Sequence, residues 1–133
     1  MANRRLPSPL NFGAMPVDAI SFTLGHELGY GEVVFSGRAQ LHASRKHPDD
    51  YSRVLPHVAA IVSDPLFLGD DFKNPGKIEM IGKIPSQGDY LLVAVTVEKD
   101  QNQFYNITSI YVLSEKKVEG RRQKGRLHIA RKR

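Results

Sequence analysis

Lys77-Ile78-Glu79-Met80-Ile81-Gly82-Lys83-Ile84, then Tyr90-Leu91-Leu92-Val93-Ala94-Val95-Thr96-Val97, then Phe104 to Leu113, are three β-type runs in close succession. The first alternates as a half-exposed strand does. The second is the most β-rich run of the chain, with Leu91, Val93, Val95 and Val97 on one face and the smaller Ala94 and Thr96 on the other. Gln87-Gly88-Asp89 and Asp100-Gln101-Asn102 supply the turns between them. Two consecutive hairpins predict an antiparallel sheet.

Upstream the pattern changes to helix. Arg38 to His47 holds no Gly or Pro, and Pro48 closes it. Asp49 and Asp50 then suit a helix N-terminus, and Tyr51, Val54, Leu55, Val58, Ile61 and Val62 recur at three- and four-residue spacing. Pro56 falls inside this stripe as a point of kinking, and Ser63-Asp64-Pro65 stops it. Glu32-Val33-Val34-Phe35-Ser36 and Leu66-Phe67-Leu68 read as short strands, whereas Val17 to Leu24 suits a helix or a strand equally. Helices followed by hairpins define the class as α+β.

The chain of 133 residues has length for one domain. Residues 1–16, with Pro7, Pro9, Gly13 and Pro16, read as an extended arm; 17–113 form the domain; 114–133 form a basic, flexible tail. The net charge of +5 is unevenly placed. The tail carries nine cations against two anions, net +7, and the other 113 residues ten against twelve, net −2. The tail, with Arg121 and Arg122 as expected substrate contacts, would then supply most of any non-specific pull on a polyanion. Its removal is expected to weaken that pull without touching the chemistry.

With no cysteine, disulfide scaffolds, thiolate zinc sites, iron–sulfur clusters and cysteine nucleophiles are excluded. No apolar run approaches the roughly 20 residues of a membrane span. The basic start has no apolar stretch behind it, so a secretory signal is not expected.

The densest polar cluster is His42-Ala43-Ser44-Arg45-Lys46-His47. On a helix His42 and Lys46 share a face, and His47 joins them only at a helix end. Two imidazoles beside two cations suit a phosphodiester. One histidine takes the proton of a ribose 2′-hydroxyl, the other protonates the leaving 5′-oxygen, and Arg45 and Lys46 hold the charged phosphorus centre. A solvated basic helix with two incidental histidines is the plain alternative. A metal site of His42, His47 and His57 is a weaker rival, because no carboxylate stands in the cluster. No nucleophile elbow, phosphate loop or dinucleotide fingerprint occurs.

On the last strand, regular alternation places Tyr105, Ile107, Ser109 and Tyr111 on one face and Asn106, Thr108 and Ile110 on the other. If helices cover the first, Asn106 and Thr108 look into an open face, where an amide and a hydroxyl suit phosphate or a base edge. Lys77 is a further cation available to substrate.

The order of these pieces resembles a known superfamily. Gly31-Glu32-Val33-Val34-Phe35 leads into Leu41-His42 and Lys46-His47-Pro48. An amphipathic helix, the Asp64-Pro65 break, a Val-rich strand and Ile107-Thr108-Ser109-Ile110-Tyr111 follow. Over residues 31–115 this is similar to the metal-independent ribonucleases that include barnase, EndoU, the tRNA-cleaving colicins and RelE, closest to their phage- and mobile-element-encoded branch. The resemblance implies two N-terminal helices packed on a four- or five-stranded antiparallel sheet, with the active site in the sheet's concave face. It implies His42, Lys46, His47, Thr108 and Tyr111 as catalytic residues. Read from the residues themselves, Arg45, Lys77, Asn106, Arg121 and Arg122 are the expected substrate contacts. The implied activity is endonucleolytic cleavage of RNA, tRNA included, without metal or cofactor, in the cytoplasm of a host or target cell. A toxin role would bring an inhibitor protein as partner. Thr108 and Tyr111 lie on opposite faces of a regular strand, so both can serve only across a bulge. The rival readings are a non-catalytic nucleic-acid-binding module and a structural protein of a phage or mobile element.

Overall fold

A computed structural model describes residues 6–70, 75–85 and 88–131. The hairpin-forming runs are β4 (Lys77–Lys83), β5 (Tyr90–Thr96) and β6 (Phe104–Leu113). β4 and β5 pair antiparallel without interruption from Lys77 opposite Thr96 to Lys83 opposite Tyr90, and β6 pairs antiparallel on the other side of β5. This centre and the α+β class match the sequence reading.

The sheet is larger than expected and mixed. It has seven strands in the order β1-β2-β6-β5-β4-β3-β7, adding β1 (Leu10–Ala14), β2 (Glu32–Phe35), β3 (Phe67–Asp70) and β7 (His128–Ile129). β2 runs parallel to β6, with Val33 opposite Tyr105. A tight turn joins antiparallel neighbours only, and here a long connection of helices and strands separates the two. The expectation of two helices on four or five antiparallel strands is therefore corrected. The reason lies at the two ends of the chain, each of which adds a strand to an edge that would otherwise expose unpaired backbone groups. The arm contributes β1, antiparallel to β2, and the tail contributes β7, antiparallel to β3.

Five α-helices occur among the described residues: α1 (Val17–Leu24), α2 (Gly37–Lys46), α3 (Pro48–Val54), α4 (Val58–Ser63) and α5 (Glu115–Gln123). Ser36 caps α2, its Oγ accepting from the Ala39 amide at 3.1 Å. The single helix read from the apolar stripe is two, α3 and α4, joined by a 3-10 turn over Leu55–His57. Pro56 lacks the amide that a continuous α-helix needs there.

The helices α1 to α4 pack on one face of the sheet, where Ile20, Val58, Ile61 and Val62 meet Ile78, Met80, Leu91, Val93 and Val95 in one core. The other face holds a smaller core of Phe67, Ile81, Tyr90, Leu92 and Leu113, covered by Val118 and Leu127. These last two lie in what reads as a flexible basic tail. Burying each is worth about 1.5–3 kcal/mol. Ser114 caps α5, its Oγ accepting from the Lys117 amide at 3.2 Å, and the Arg131 amide donates to Thr23 Oγ1 at 2.7 Å. The flexible-tail reading is corrected through residue 131; Lys132 and Arg133 lie outside the described residues. Among the described residues no helix is long and apolar enough to cross a membrane.

Candidate active site

The site is shaped by an irregularity in β6. Val95 pairs with Ile107, but Ala94 pairs with Ser109, so Thr108 is an extra residue in the ladder. Such a bulge reverses the alternation downstream. Tyr105 and Ile107 belong to the helix-side core, yet beyond the bulge it is Ile110 that does so. Tyr111 and Leu113 turn to the opposite face, against Leu92 and Val118. The regular alternation read from the sequence is thus corrected at Ser109, Ile110 and Tyr111. The bulge that Thr108 and Tyr111 require is present, and Thr108 Oγ1 donates to the Ala94 carbonyl at 3.4 Å.

Three strands then present Glu79, Ala94 and Ser109 side by side, Glu79 opposite Ala94 and Ala94 opposite Ser109. Ala94 keeps the floor low between its neighbours. Arg121 reaches in from α5, donating from Nη1 to Glu79 Oε1 at 3.0 Å and from Nη2 to Tyr111 Oη at 3.5 Å. The Glu79 side chain is 11% exposed and that of Arg121 29%. Burial alone would lower the Arg121 pKa. The hydrogen bond to Tyr111 and the charge of Glu79 outweigh it and hold the guanidinium above its ordinary value.

His47 ends α2, and its ring centroid stands 6.0 Å from that of Tyr111 at 31°. His42, Lys46 and His47 share a crevice with Ser109, Ile110 and Tyr111. Its volume of about 10 Å³ holds at most one water. Substrate would therefore lie across its mouth and not inside it. Two larger grooves flank the centre. One, of about 480 Å³, includes Lys77, Thr96, Glu98 and Asn106. The other, of about 460 Å³, lies between α5 and β7 and includes Arg122, His128 and Arg131.

The expected residues are thus partly assembled. His42, Lys46, His47 and Tyr111 meet, Arg121 joins them through Tyr111, and Thr108 forms the bulge beside them. Lys77 and Asn106 lie together in the first groove. Arg45 is exposed on α2 and does not line the crevice. Arg122 is turned away, its guanidinium 5.0 Å from the Phe67 ring centroid and bonded to Glu119 at 2.9 Å. Among the described residues no three His, Asp or Glu side chains converge as metal ligands, so His42, His47 and His57 do not form a triad.

Glu79 and Ser109 escaped the sequence reading. The signal for Glu79 was present, because a lone carboxylate between Ile78 and Met80 on a strand paired with an uncharged one needs a buried partner. Ser109 was hidden by the bulge, which has no composition signature. Chemically, the arrangement sets an imidazole, whose ring nitrogens can donate or accept a proton, near an oriented guanidinium. The guanidinium suits the planar, bidentate holding of a phosphate.

Comparison of the chain with protein-family models, with curated proteins and with solved structures gave no match.

Proposed function

We propose that the protein is a metal-independent endoribonuclease of the barnase, EndoU, colicin and RelE type, from the branch encoded by phages and mobile elements. The observation that carries this reading is the convergence of His47, Tyr111, Arg121 and Glu79, drawn from helix α2, two strands and helix α5. In the reaction the 2′-oxygen attacks the adjacent phosphorus. The P–O2′ bond forms, the P–O5′ bond breaks, and the products end in a 2′,3′-cyclic phosphate and a 5′-hydroxyl. One of His42 and His47 accepts the 2′-hydroxyl proton, and the other delivers a proton to the 5′-oxygen. Arg121 and Lys46 hold the non-bridging phosphate oxygens as charge grows on them. Glu79 is a positioning residue for Arg121, and Tyr111 orients both Arg121 and the His47 ring. Thr108 sets the turn of β6 that aims Tyr111. Arg45 attracts the RNA backbone from α2. RNA is the partner, with tRNA as a substrate. A toxin acting in the cytoplasm of a host or target cell would call for an inhibitor protein that covers this face.

The test is incubation of the purified protein with total tRNA and labelled RNA in EDTA, beside His42→Ala, His47→Ala and Arg121→Ala. Cleavage that survives chelation, leaves cyclic phosphate ends and is lost in the variants is the expected result. Cleavage that requires an added divalent ion overturns the mechanism. Binding without cleavage makes the protein a nucleic-acid-binding module. Neither binding nor cleavage leaves an assembly role.

A further inference from the structure

The two edge strands of the sheet, β1 and β7, differ in how they meet solvent. At β1 the pairing shifts between Asn11 and Ala14, Gly13 takes a φ of +92°, and Asn11 Oδ1 accepts from the Gly13 amide at 2.8 Å. A bulge whose amide is already taken blunts that edge. β7 has no such guard. The Ala130 amide donates to the Leu66 carbonyl at 3.0 Å, and Ile129 stands opposite Phe67. Alternate residues of an antiparallel strand bond to the same neighbour, so the Ile129 N–H and C=O point away from β3. Among the described residues neither group has a partner. The strand is also firmly held, because the Arg131 amide donates to Thr23 Oγ1 at 2.7 Å.

The groove of about 460 Å³ between α5 and β7 lies against this strand. Ile129 shares the α5 side of the sheet with Phe67 and is 59% exposed. Arg131, two residues further on, also lines the groove. Its guanidinium, that of Arg126 and the Lys124 ammonium have no partner among the described residues. Arg122 is already engaged, bonded to Glu119 and lying over Phe67. An edge with this charge repels a second copy of itself. It also suits RNA poorly. No Phe or Tyr lines the groove for a base to stack on, Glu119 stands at its rim, and His128, opposite Leu68, faces the other side of the sheet.

An open backbone pair, an exposed aliphatic side chain and unpaired cations together fit an extended acidic peptide. A strand laid along β7 exchanges both main-chain bonds with Ile129, and its side chains two apart share the groove face. The complement of Ile129 followed by Arg131 is an apolar residue two positions from an acidic one. We infer that β7 is a strand-addition site for an acidic, extended segment of another protein, recognised as acidic–x–apolar. This surface lies on the sheet edge and is independent of the nuclease reading, so either can fail without the other.

The experiment uses a fluorescent peptide, Glu-Thr-Val-Thr-Glu, whose Glu and Val side chains share one face of a strand. Its controls are the same peptide N-methylated at Val, which cannot donate to the edge, and Lys-Thr-Val-Thr-Lys. Binding to the full-length protein is read by anisotropy. The acidic peptide is expected to bind about tenfold tighter than either control, from the lost main-chain bond and the reversed charge. Ile129→Pro removes the outward amide at an edge position that tolerates proline, and Arg131→Glu reverses the free cation. Each should weaken the acidic peptide about tenfold, with thermal melts confirming that the variants fold. If Ile129→Pro does not fold, the N-methylated peptide tests the same bond on the wild type. Equal binding of the acidic and N-methylated peptides, or affinity unchanged in Arg131→Glu, overturns the site. A 2′-O-methyl RNA tetramer that displaces the peptide and itself loses binding in Arg131→Glu assigns the groove to nucleic acid and also overturns it.

Discussion

Arg121 Nη1 stands 3.0 Å from Glu79 Oε1 across 42 residues of chain, joining helix α5 to β4, the first strand of the hairpins. The pair ties a segment that reads as a solvated tail to the face that carries the candidate chemistry. Removing one partner leaves the other under-solvated, so Arg121→Ala is expected to cost about 1–3 kcal/mol in urea denaturation. Arg121→Ala should also lower turnover by about 10²–10³, the usual effect of losing one oriented donor to transition-state charge. Glu79→Gln should cost less of each. The double variant should fall short of the sum of the two, because both act on the same guanidinium.

His47 and His42 are separable. His47 touches Tyr111, whereas His42 only borders the crevice from the exposed side of α2. His47→Ala is expected to reduce cleavage by about 10²–10⁴ with little change in stability, as loss of a positioned acid or base does. Tyr111→Phe preserves the ring contact and loses only the long bond to Arg121, so its effect should be far smaller. Rates measured on one labelled RNA would distinguish these, and equal losses in the two variants would count against the assigned roles.

The sequence made the central antiparallel strands, the basic helix and the histidine cluster legible, because each follows from local periodicity and terminators. Three features were not legible for physical reasons. The parallel pairing of Val33 with Tyr105 is long-range and leaves no local pattern. The bulge at Thr108 inserts one β-competent residue among others, so composition does not change. The docking of α5 and β7 depends on only a few apolar residues, Val118, Leu127 and Ala130, amid nine cations. Charge dominated the reading of residues 114–133, while burial of those few side chains decides their structure.

The docking of that segment has a direct test. Gly69 on β3 faces the Arg126 backbone, and a Cβ added there would collide with the Arg126 carbonyl oxygen. Gly69→Ala is expected to destabilise the fold by about 1–3 kcal/mol, the range for overpacking a close contact. Truncation after Ser114 should be worse than a loss of RNA affinity. It strips Val118 and Leu127 from Phe67, Ile81 and Leu92 and removes Arg121. A truncated chain that keeps its melting temperature and its cleavage rate would show that the segment is dispensable.

Asp100 supplies the acid-side prediction. The Asn106 side chain, then the Phe104 and Asn102 amides, hold its carboxyl below its ordinary pKa of 3.8, against a smaller opposing effect of burial. A carboxyl whose pKa is lower in the folded state than in the unfolded chain stabilises the fold above the unfolded value. That contribution fades as pH falls through 3.8 towards the folded value. Thermal melts between pH 6 and pH 2 should therefore show the wild type losing stability most steeply below about pH 4. Asp100→Ala should be less stable than wild type at pH 6, and the two should converge at the acid end. A variant that is equally destabilised at pH 6 and pH 2 would mean that the Asp100 bonds act through geometry and not through charge.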